Sequence, residues 1–206
     1  MGPSSFVAPL YDPVMAVADW VFLERYRVAL AVDLEGTILD IGAGTGAMIP
    51  HYAAQDGIVG VIALEPDPAM RRRGREKTDD LDVAVHWIDG IGEALPLHDD
   101  SVDAVVCSLV LCSVEEPRDV IDEAARVMRT DGELRVLEHV AAAGIQGRFQ
   151  EWVEPVWRRL ADGCRPDRST DRLLEESTAV STIQTSRIRQ GIPPIRPFHF
   201  GRYRPV

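Results

Sequence analysis

The sequence predicts an α/β fold, with a mainly parallel sheet, helices on both of its faces and a C-terminal antiparallel hairpin. Short apolar runs alternate with segments of helical periodicity, as in parallel strands joined by crossover helices. A cluster of alternate glycines follows the first apolar run, as expected where a strand turns sharply into a helix. The chain has 206 residues, which suits one domain with a substantial core.

Each predicted element has a local signal in the sequence. Apolar residues at helical spacing before residue 32 predict one or two helices. Five apolar runs that end at turn residues predict parallel strands over residues 37–41, 59–64, 83–88, 104–109 and 133–139. Helical patterns lie over residues 47–54, 69–77, 118–128, 148–161 and 171–178. The last two apolar segments, 182–189 and 197–204, are expected to pair as the terminal hairpin.

Composition excludes several classes of protein. Acidic residues number 33 against 22 basic ones, a net charge of −11, so nucleic-acid binding is not expected, because it needs clustered cations. The longest nearly apolar stretch, residues 104–114, is far shorter than the roughly 20 residues of a membrane span. The N-terminus lacks the basic region of a signal peptide, and a cytoplasmic location is expected. Three cysteines without a CxxC pair predict no metal site.

The strongest functional signal is the glycine turn at residues 40–46, which reads D-I-G-A-G-T-G. Gly42, Gly44 and Gly46, with Ala43 between the first two, let the backbone turn sharply and approach a ligand closely. The helix that follows supplies free N–H groups. The sequence therefore predicts a cofactor site at this turn.

Two cofactors use such a turn, and Asp40 distinguishes them. Dinucleotides prefer G-x-G-x-x-G/A, which Gly42, Gly44 and Ala47 satisfy, whereas S-adenosylmethionine enzymes typically read D-x-G-x-G-x-G. A carboxylate at Asp40 would repel a pyrophosphate but would attract the ammonium and sulfonium groups of S-adenosylmethionine. We therefore expect S-adenosyl-L-methionine as the cofactor.

Further candidates for cofactor binding follow the next strands. Glu65 ends the second strand, 19 residues after Gly46, where a carboxylate can accept hydrogen bonds from both ribose hydroxyls. Pro66 keeps the chain out of a helix for one more residue. After the third strand, Asp89, Gly92 and Glu93 are candidates to contact the adenine, with a plain surface turn as the alternative. Leu109 follows the fourth strand and would lie near the methionine part of the cofactor.

These motifs together resemble the class I S-adenosylmethionine-dependent methyltransferases, with a type 11 methyltransferase domain. The resemblance runs over residues 36–140 and implies a Rossmann-like seven-stranded sheet. The stretches Leu-Cys-Ser-Val at 111–114, Leu-Glu-His-Val at 137–140 and Asp-Gly-Cys at 162–164 resemble the methyltransferase-like group that includes alkyl-thiol S-methyltransferases. What the resemblance implies is methyl transfer to a small molecule, with a thiol as the first acceptor to test.

The expected organisation is a single methyltransferase domain in three parts. Residues 1–35 form an N-terminal helical cap, residues 36–140 the cofactor-binding core, and residues 141–206 the acceptor-side helices and hairpin. Glu138 and His139, at the end of the fifth strand, are the candidate catalytic residues. His139 is predicted to act as a base or to orient the acceptor, with a structural histidine as the alternative.

The predicted partner is a small-molecule methyl acceptor, and the protein is expected to be a monomer or a homodimer. Two other functions stay open at this point. A non-catalytic S-adenosylmethionine-binding sensor would keep the cofactor site and lack an open acceptor pocket. An NAD-dependent oxidoreductase is opposed by Asp40 and by the motifs after residue 88.

Overall fold

The computed structural model describes residues 23–161, 163–190 and 194–206. Its strands form one sheet with the order β3-β2-β1-β4-β5-β7-β6. The strands are β1 Gly36–Ile41, β2 Ile58–Leu64, β3 Val85–Ile88, β4 Val102–Ser108, β5 Met128–His139, β6 Val180–Ile188 and β7 Phe198–Pro205. The helices are α1 Glu24–Ala31, α2 Ile49–Ala53, α3 Pro68–Thr78, α4 Pro117–Val127, α5 Ile145–Leu160 and α6 Thr170–Glu175.

The strand pairing confirms the predicted fold class. Strands β1 to β5 pair in parallel, and β7 runs antiparallel between β5 and β6. The seven-stranded sheet is therefore mainly parallel and ends in the antiparallel hairpin that the sequence predicts. The chain order reverses between β1 and β4, which is the position where ligands bind in such sheets.

Apolar side chains fill the space on both faces of the sheet. In β1, Leu39 and Ile41 belong to one buried cluster and Ile38 to the other, because successive side chains of a strand point to opposite faces. The first cluster includes the buried residues of α4, and the second includes those of α1 and α2. Helices thus cover both faces, as predicted.

Most predicted elements differ from the structure by a few residues in their bounds, and two of these differences have a clear physical cause. Strand β5 begins at Met128 rather than at residue 133, because the buried Met128 pairs with Val102 of β4 across an irregular register. Helix α2 begins at Ile49, since the glycine turn continues through the preceding residues. Most of the predicted helical cap, residues 1–22, lies outside the described residues. Within the described ranges, no helix is both long and apolar enough to span a membrane.

One buried arginine connects α1 to the sheet. Arg135 of β5 is only 2% exposed, and its guanidinium donates hydrogen bonds to the carbonyl oxygens of Leu30 and Val32. Its Nε also donates to the Glu133 carboxylate at 2.9 Å. The C-terminal end of α1 is held against the sheet, and this positions α1 beside the carboxyl end of β1.

Candidate functional site

A cavity of about 460 Å³ lies at the carboxyl ends of β1 and β4, and sites for small ligands are commonly about 300–1,000 Å³. Its wall combines the glycine turn with residues of α1, α2 and α3 and with the chain that follows β4. The lining residues are Glu24, Arg27, Asp40, Gly42, Ala43, Gly44, Thr45, Gly46, Ala47, Met48, Pro50, His51, Lys77, Thr78, Ser108 and Leu109.

The glycine turn has the geometry that the sequence predicts. Gly42, Gly44 and Gly46 all have positive φ, at 65°, 57° and 79°, a region that residues with a Cβ rarely adopt. A Cβ at Gly42 would lie 2.6 Å from Val110 Cγ2, whereas the nearest atom to a Cβ at Gly44 is 3.9 Å away. The backbone at Gly44 is therefore open to the cavity, as close approach of a ligand requires.

Asp40 lies in the cavity wall but is almost completely buried, with an exposed fraction of 2%. The buried Tyr52 hydroxyl interacts with its carboxyl group, and Oδ2 has no other hydrogen-bond partner among the described residues. Burial raises the pKa of Asp40 to about 7, although the nearby positive charge of Arg27 and the Tyr52 hydroxyl oppose the rise. Such a carboxyl group gains most from a ligand that brings a positive charge to it.

Glu65 supports the glycine turn from the end of β2. Its Oε2 accepts a hydrogen bond from the Gly44 N–H at 2.9 Å, and its Oε1 accepts one from the Asp67 N–H at 2.9 Å. Glu65 is not among the residues that line the cavity. Each carboxylate oxygen carries two lone pairs and can accept more than one hydrogen bond.

Pro66, Gly92 and Glu93 do not line the cavity. Pro66 precedes Asp67, whose side chain caps α3 by accepting from the N–H groups of Ala69 and Met70. Gly92 is tightly packed, since a Cβ there would lie 3.0 Å from Ile41 Cγ2. The adenine contacts proposed from the sequence for Gly92 and Glu93 stay predictions.

Glu93 instead contacts the chain before α4. Its Oε1 accepts hydrogen bonds from the backbone N–H groups of Glu115 and Glu116 at 3.2 and 3.5 Å. This arrangement connects the loop after β3 to the loop after β4. It therefore gives Glu93 at least a structural role beside the carboxyl edge of the sheet.

Ser108 and Leu109, at the end of β4, also line the cavity. Leu109 has a φ of 63°, which is unusual for a residue with a branched side chain, and its N–H donates to the Leu137 carbonyl oxygen at 2.8 Å. The Ser108 hydroxyl is buried and has no hydrogen-bond partner in the described part of the chain. The sequence predicts Leu109 here but gives no signal for Ser108.

Glu138 is completely buried and holds the loop after β4. Its Oε1 accepts from the N–H groups of Val110 and Leu111 at 2.7 and 2.8 Å, and its Oε2 accepts from the Cys112 N–H at 3.2 Å. Burial raises the pKa of Glu138, while the three N–H donors oppose that rise. Its oxygens accept from backbone N–H groups and Glu138 does not line the cavity, so the catalytic role stays a prediction and the contacts show a structural one.

His139 lies between two cysteine sulfurs and does not line the cavity. Its Nδ1 is 3.5 Å from Cys112 Sγ and 3.3 Å from Cys164 Sγ, and its ring packs on Phe198 with centroids 4.9 Å apart. The side chain is only 7% exposed. This position favours the structural alternative over the predicted role as a base.

Several charged residues of the wall were not predicted as site residues. Glu24 and Arg27 reach the cavity from α1, and His51 and Lys77 reach it from α2 and α3. The Lys77 ammonium group donates to Thr45 Oγ1 at 3.1 Å. From the sequence alone, each of these residues is expected to be an exposed helix residue. Only the packing of the helices identifies them as part of the cavity wall.

The strand order, the glycine turn at the point of reversal and the carboxylate at the end of β2 together define a Rossmann-like cofactor-binding domain. Residues 39–136 match the family model described as "Methyltransferase domain". This part of the chain is therefore a methyltransferase domain of that family, which confirms the resemblance seen in the motifs.

Two relatives of known function show the range of acceptors in similar proteins. Human thiol S-methyltransferase TMT1B is 36% identical over 156 residues, which are 73% of this chain and 62% of the relative. A demethylmenaquinone methyltransferase from Paenarthrobacter aurescens is 34% identical over 184 residues, which are 87% of this chain and 63% of the relative. The chain thus spans less than two thirds of the length of either relative.

The fold also matches solved structures. One chain from the complex that contains the Haloferax volcanii Trm112 methyltransferase activator superposes with a TM-score of 0.77. The sequence identity is 20%, and the match covers 98% of this chain and 97% of the other. This likeness supports the Rossmann-like fold over nearly the whole chain.

Proposed function

We propose that the protein is an S-adenosyl-L-methionine-dependent methyltransferase that acts on a small molecule. The observation that carries the proposal is the buried Asp40 carboxyl group in the wall of the cavity that the glycine turn also lines. S-adenosylmethionine supplies a methyl group that is already activated by a positive sulfur. The methyltransferase domain at residues 39–136 supports the same cofactor.

The residues of the cavity fit this cofactor by charge and by shape. Asp40 would attract the positive ammonium and sulfonium groups, and the Gly44 backbone allows close approach because the nearest atom to a Cβ there would be 3.9 Å away. Glu65 would accept hydrogen bonds from the ribose hydroxyls while it holds the turn. The negative charge of Asp40 would repel a pyrophosphate, so a dinucleotide fits this cavity less well than S-adenosylmethionine does.

The protein's contribution to the reaction is mainly alignment of the acceptor with the cofactor. Holding two reactants in the reactive geometry can lower a barrier by roughly 7–11 kcal/mol. The wall formed by Ser108 and Leu109 would set the position of the methionine part. We assign the choice of acceptor to residues 141–206, which lie beyond the shared core, where specificity commonly resides.

The proposed acceptor is a thiol. Support comes from the similarity to thiol S-methyltransferase TMT1B and from the net charge of −11, which disfavours nucleic acid. A quinol is the competing acceptor because the demethylmenaquinone methyltransferase is similarly related. A thiol must lose its proton to react, and a pKa near 8.5 leaves only a few per cent ionised at neutral pH.

A panel of acceptors tests the proposed activity. Alkyl thiols, aryl thiols, phenols, amines and a demethylated quinol are incubated with the protein and S-adenosylmethionine, and the demethylated cofactor is measured. We expect turnover with thiols, and a faster rate as the pH rises toward the thiol pKa. Turnover with the quinol alone would contradict the thiol assignment. Cofactor binding without turnover of any acceptor would contradict the proposal that the protein is a methyltransferase.

Replacing Glu65 with alanine is expected to weaken cofactor affinity roughly ten- to hundredfold. The variant loses hydrogen bonds to a charged group, worth about 1.5–3 kcal/mol, and it releases the Gly44 N–H from its anchor. Isothermal titration calorimetry with S-adenosylmethionine measures the change. Glu151→Ala, an exposed glutamate of α5, is the matched control, and an equal affinity in both variants would refute the role of Glu65.

A further inference from the structure

We propose that Cys112, His139 and Cys164 form a zinc site. The two sulfurs lie 3.6 Å apart, and His139 Nδ1 lies 3.5 Å from Cys112 Sγ and 3.3 Å from Cys164 Sγ. These three ligand atoms come from the loop after β4, the end of β5 and the segment after α5. The close spacing that usually marks a zinc site in a sequence is therefore absent, which explains why the sequence predicts no metal.

The triangle of ligand atoms has the dimensions of one face of a zinc tetrahedron. With Zn–S bonds of about 2.3 Å and a Zn–N bond of about 2.0–2.1 Å, tetrahedral angles place two sulfurs about 3.8 Å apart and sulfur and nitrogen about 3.6 Å apart. The observed separations of 3.6, 3.5 and 3.3 Å differ from these by roughly 0.3 Å or less. Only small side-chain movements would admit the ion.

Burial and charge also suit zinc at this position. Cys112, Cys164 and His139 are 0%, 5% and 7% exposed, so any charge placed among them must be balanced locally. Two thiolates and a neutral imidazole offset the two positive charges of Zn²⁺. Sulfur and imidazole nitrogen are also the ligands that zinc prefers over magnesium or calcium.

The backbone holds each ligand before any ion binds. The Cys112 N–H donates to Glu138, and the Cys112 carbonyl oxygen accepts from the Arg165 N–H at 2.9 Å. The Arg168 guanidinium donates to the carbonyl oxygens of Leu111 and Val114, so the segment after α5 is fixed to the same loop.

The ring of His139 is fixed in its turn by Phe198, at a centroid separation of 4.9 Å. This contact restricts the ring to an orientation in which Nδ1 lies near both sulfurs. Among the described residues, Cys112, His139 and Cys164 are the side chains of this cluster that could bind a metal ion. Zinc held by these three ligands would take water as its fourth ligand, which is the pattern of zinc sites with an exchangeable ligand.

Metal content tests the zinc site without any measurement of methyl transfer. A failure of the zinc proposal can therefore be distinguished from a failure of the proposed methyltransferase function. The full chain, reduced and stripped with a chelator, is titrated with zinc chloride alone, and bound zinc is measured by mass spectrometry after dialysis. We expect about one zinc ion per chain. Cys112→Ala and Cys164→Ala should weaken binding roughly 100-fold or more, since loss of an outer-shell partner alone costs about 10–100-fold.

Cys107→Ala is the matched control, because Cys107 is equally buried in β4 but is not part of the cluster. It should bind zinc as the parent protein does. Cobalt substitution gives a second readout on the unmutated chain: sulfur-to-cobalt charge-transfer bands and intense tetrahedral ligand-field bands are expected. Only trace zinc on the folded parent protein, zinc binding unchanged in both cluster variants, or a Cys112–Cys164 disulfide under these reducing conditions would each overturn the site.

Discussion

Replacing Asp40 with asparagine is expected to weaken S-adenosylmethionine binding by roughly 30-fold to several thousandfold. Asp40 is buried in the cavity wall, and asparagine keeps its shape but not its negative charge. Loss of one partner from a buried charge pair costs about 2–5 kcal/mol. Calorimetric titration of both proteins with the cofactor measures the difference.

The same substitution should stabilise the protein in the absence of cofactor. The pKa of Asp40 is raised from 3.8 to about 7 by burial, so the folded state binds the proton more tightly than the unfolded state does. The stability of the parent protein therefore falls as pH rises from about 4 to about 7, by up to about 4 kcal/mol. The Asp40→Asn variant lacks this loss and should be more stable at pH 8 but not at pH 4.

The pH dependence of binding provides a third consequence of the raised pKa. A positive ligand requires the ionised form of Asp40, so cofactor affinity should be roughly tenfold lower at pH 6 than at pH 8, with proton release on binding. The binding enthalpy should then vary with the ionisation enthalpy of the buffer. Asp122→Asn, at an exposed position of α4, is the control. If the parent protein, Asp40→Asn and Asp122→Asn had the same dependence of stability on pH and the same cofactor affinity, the role of Asp40 would be contradicted.

Replacing Glu138 with alanine is expected to destabilise the protein by at least about 3 kcal/mol. Three backbone N–H groups, of Val110, Leu111 and Cys112, donate to this carboxylate, and an unsatisfied buried donor costs about 1–3 kcal/mol. The loop after β4 also loses the group that shapes it, and this loop carries one wall of the cavity. Urea-induced unfolding followed by circular dichroism measures the change.

A graded substitution separates loss of hydrogen bonds from loss of volume at this position. Glu138→Gln keeps one oxygen, which can serve Val110 and Leu111, and loses the acceptor for Cys112. The glutamine variant should therefore be destabilised by only about 1–3 kcal/mol, and clearly less than the alanine variant. Glu151→Ala, at an exposed position of α5, should change stability little. Equal losses for the glutamine and alanine variants would argue against the hydrogen-bond account.

The elements of the fold are predictable because their signals are local. The apolar run over residues 37–41 has to be a strand that is buried on both faces, and the glycines at 42, 44 and 46 occupy conformations that few other residues adopt. Amphipathic spacing likewise identifies α4, whose buried residues face the sheet. Short-range chemistry therefore predicts the sheet, the turn and the cavity beside it.

The parts of the site that were not predictable depend on contacts between distant residues. Glu138 resembles an acceptor-side acid in the sequence, and only the structure shows its oxygens bound to a loop 26–28 residues away. Cys112 and Cys164 are separated by 52 residues, so no local pattern joins them. The cavity-wall residues of α1 likewise become part of the site only when α1 packs against the carboxyl end of β1.

Equilibrium binding of S-adenosylmethionine tests the central claim most directly. The protein is titrated by calorimetry with S-adenosylmethionine, with its demethylated product and with NAD, at pH 8. We predict that the first two bind at one site per chain, that NAD does not bind, and that Asp40→Asn selectively weakens the positively charged S-adenosylmethionine. Tighter binding of NAD than of S-adenosylmethionine, or no loss of affinity in the Asp40 variant, would contradict the assignment of this cavity.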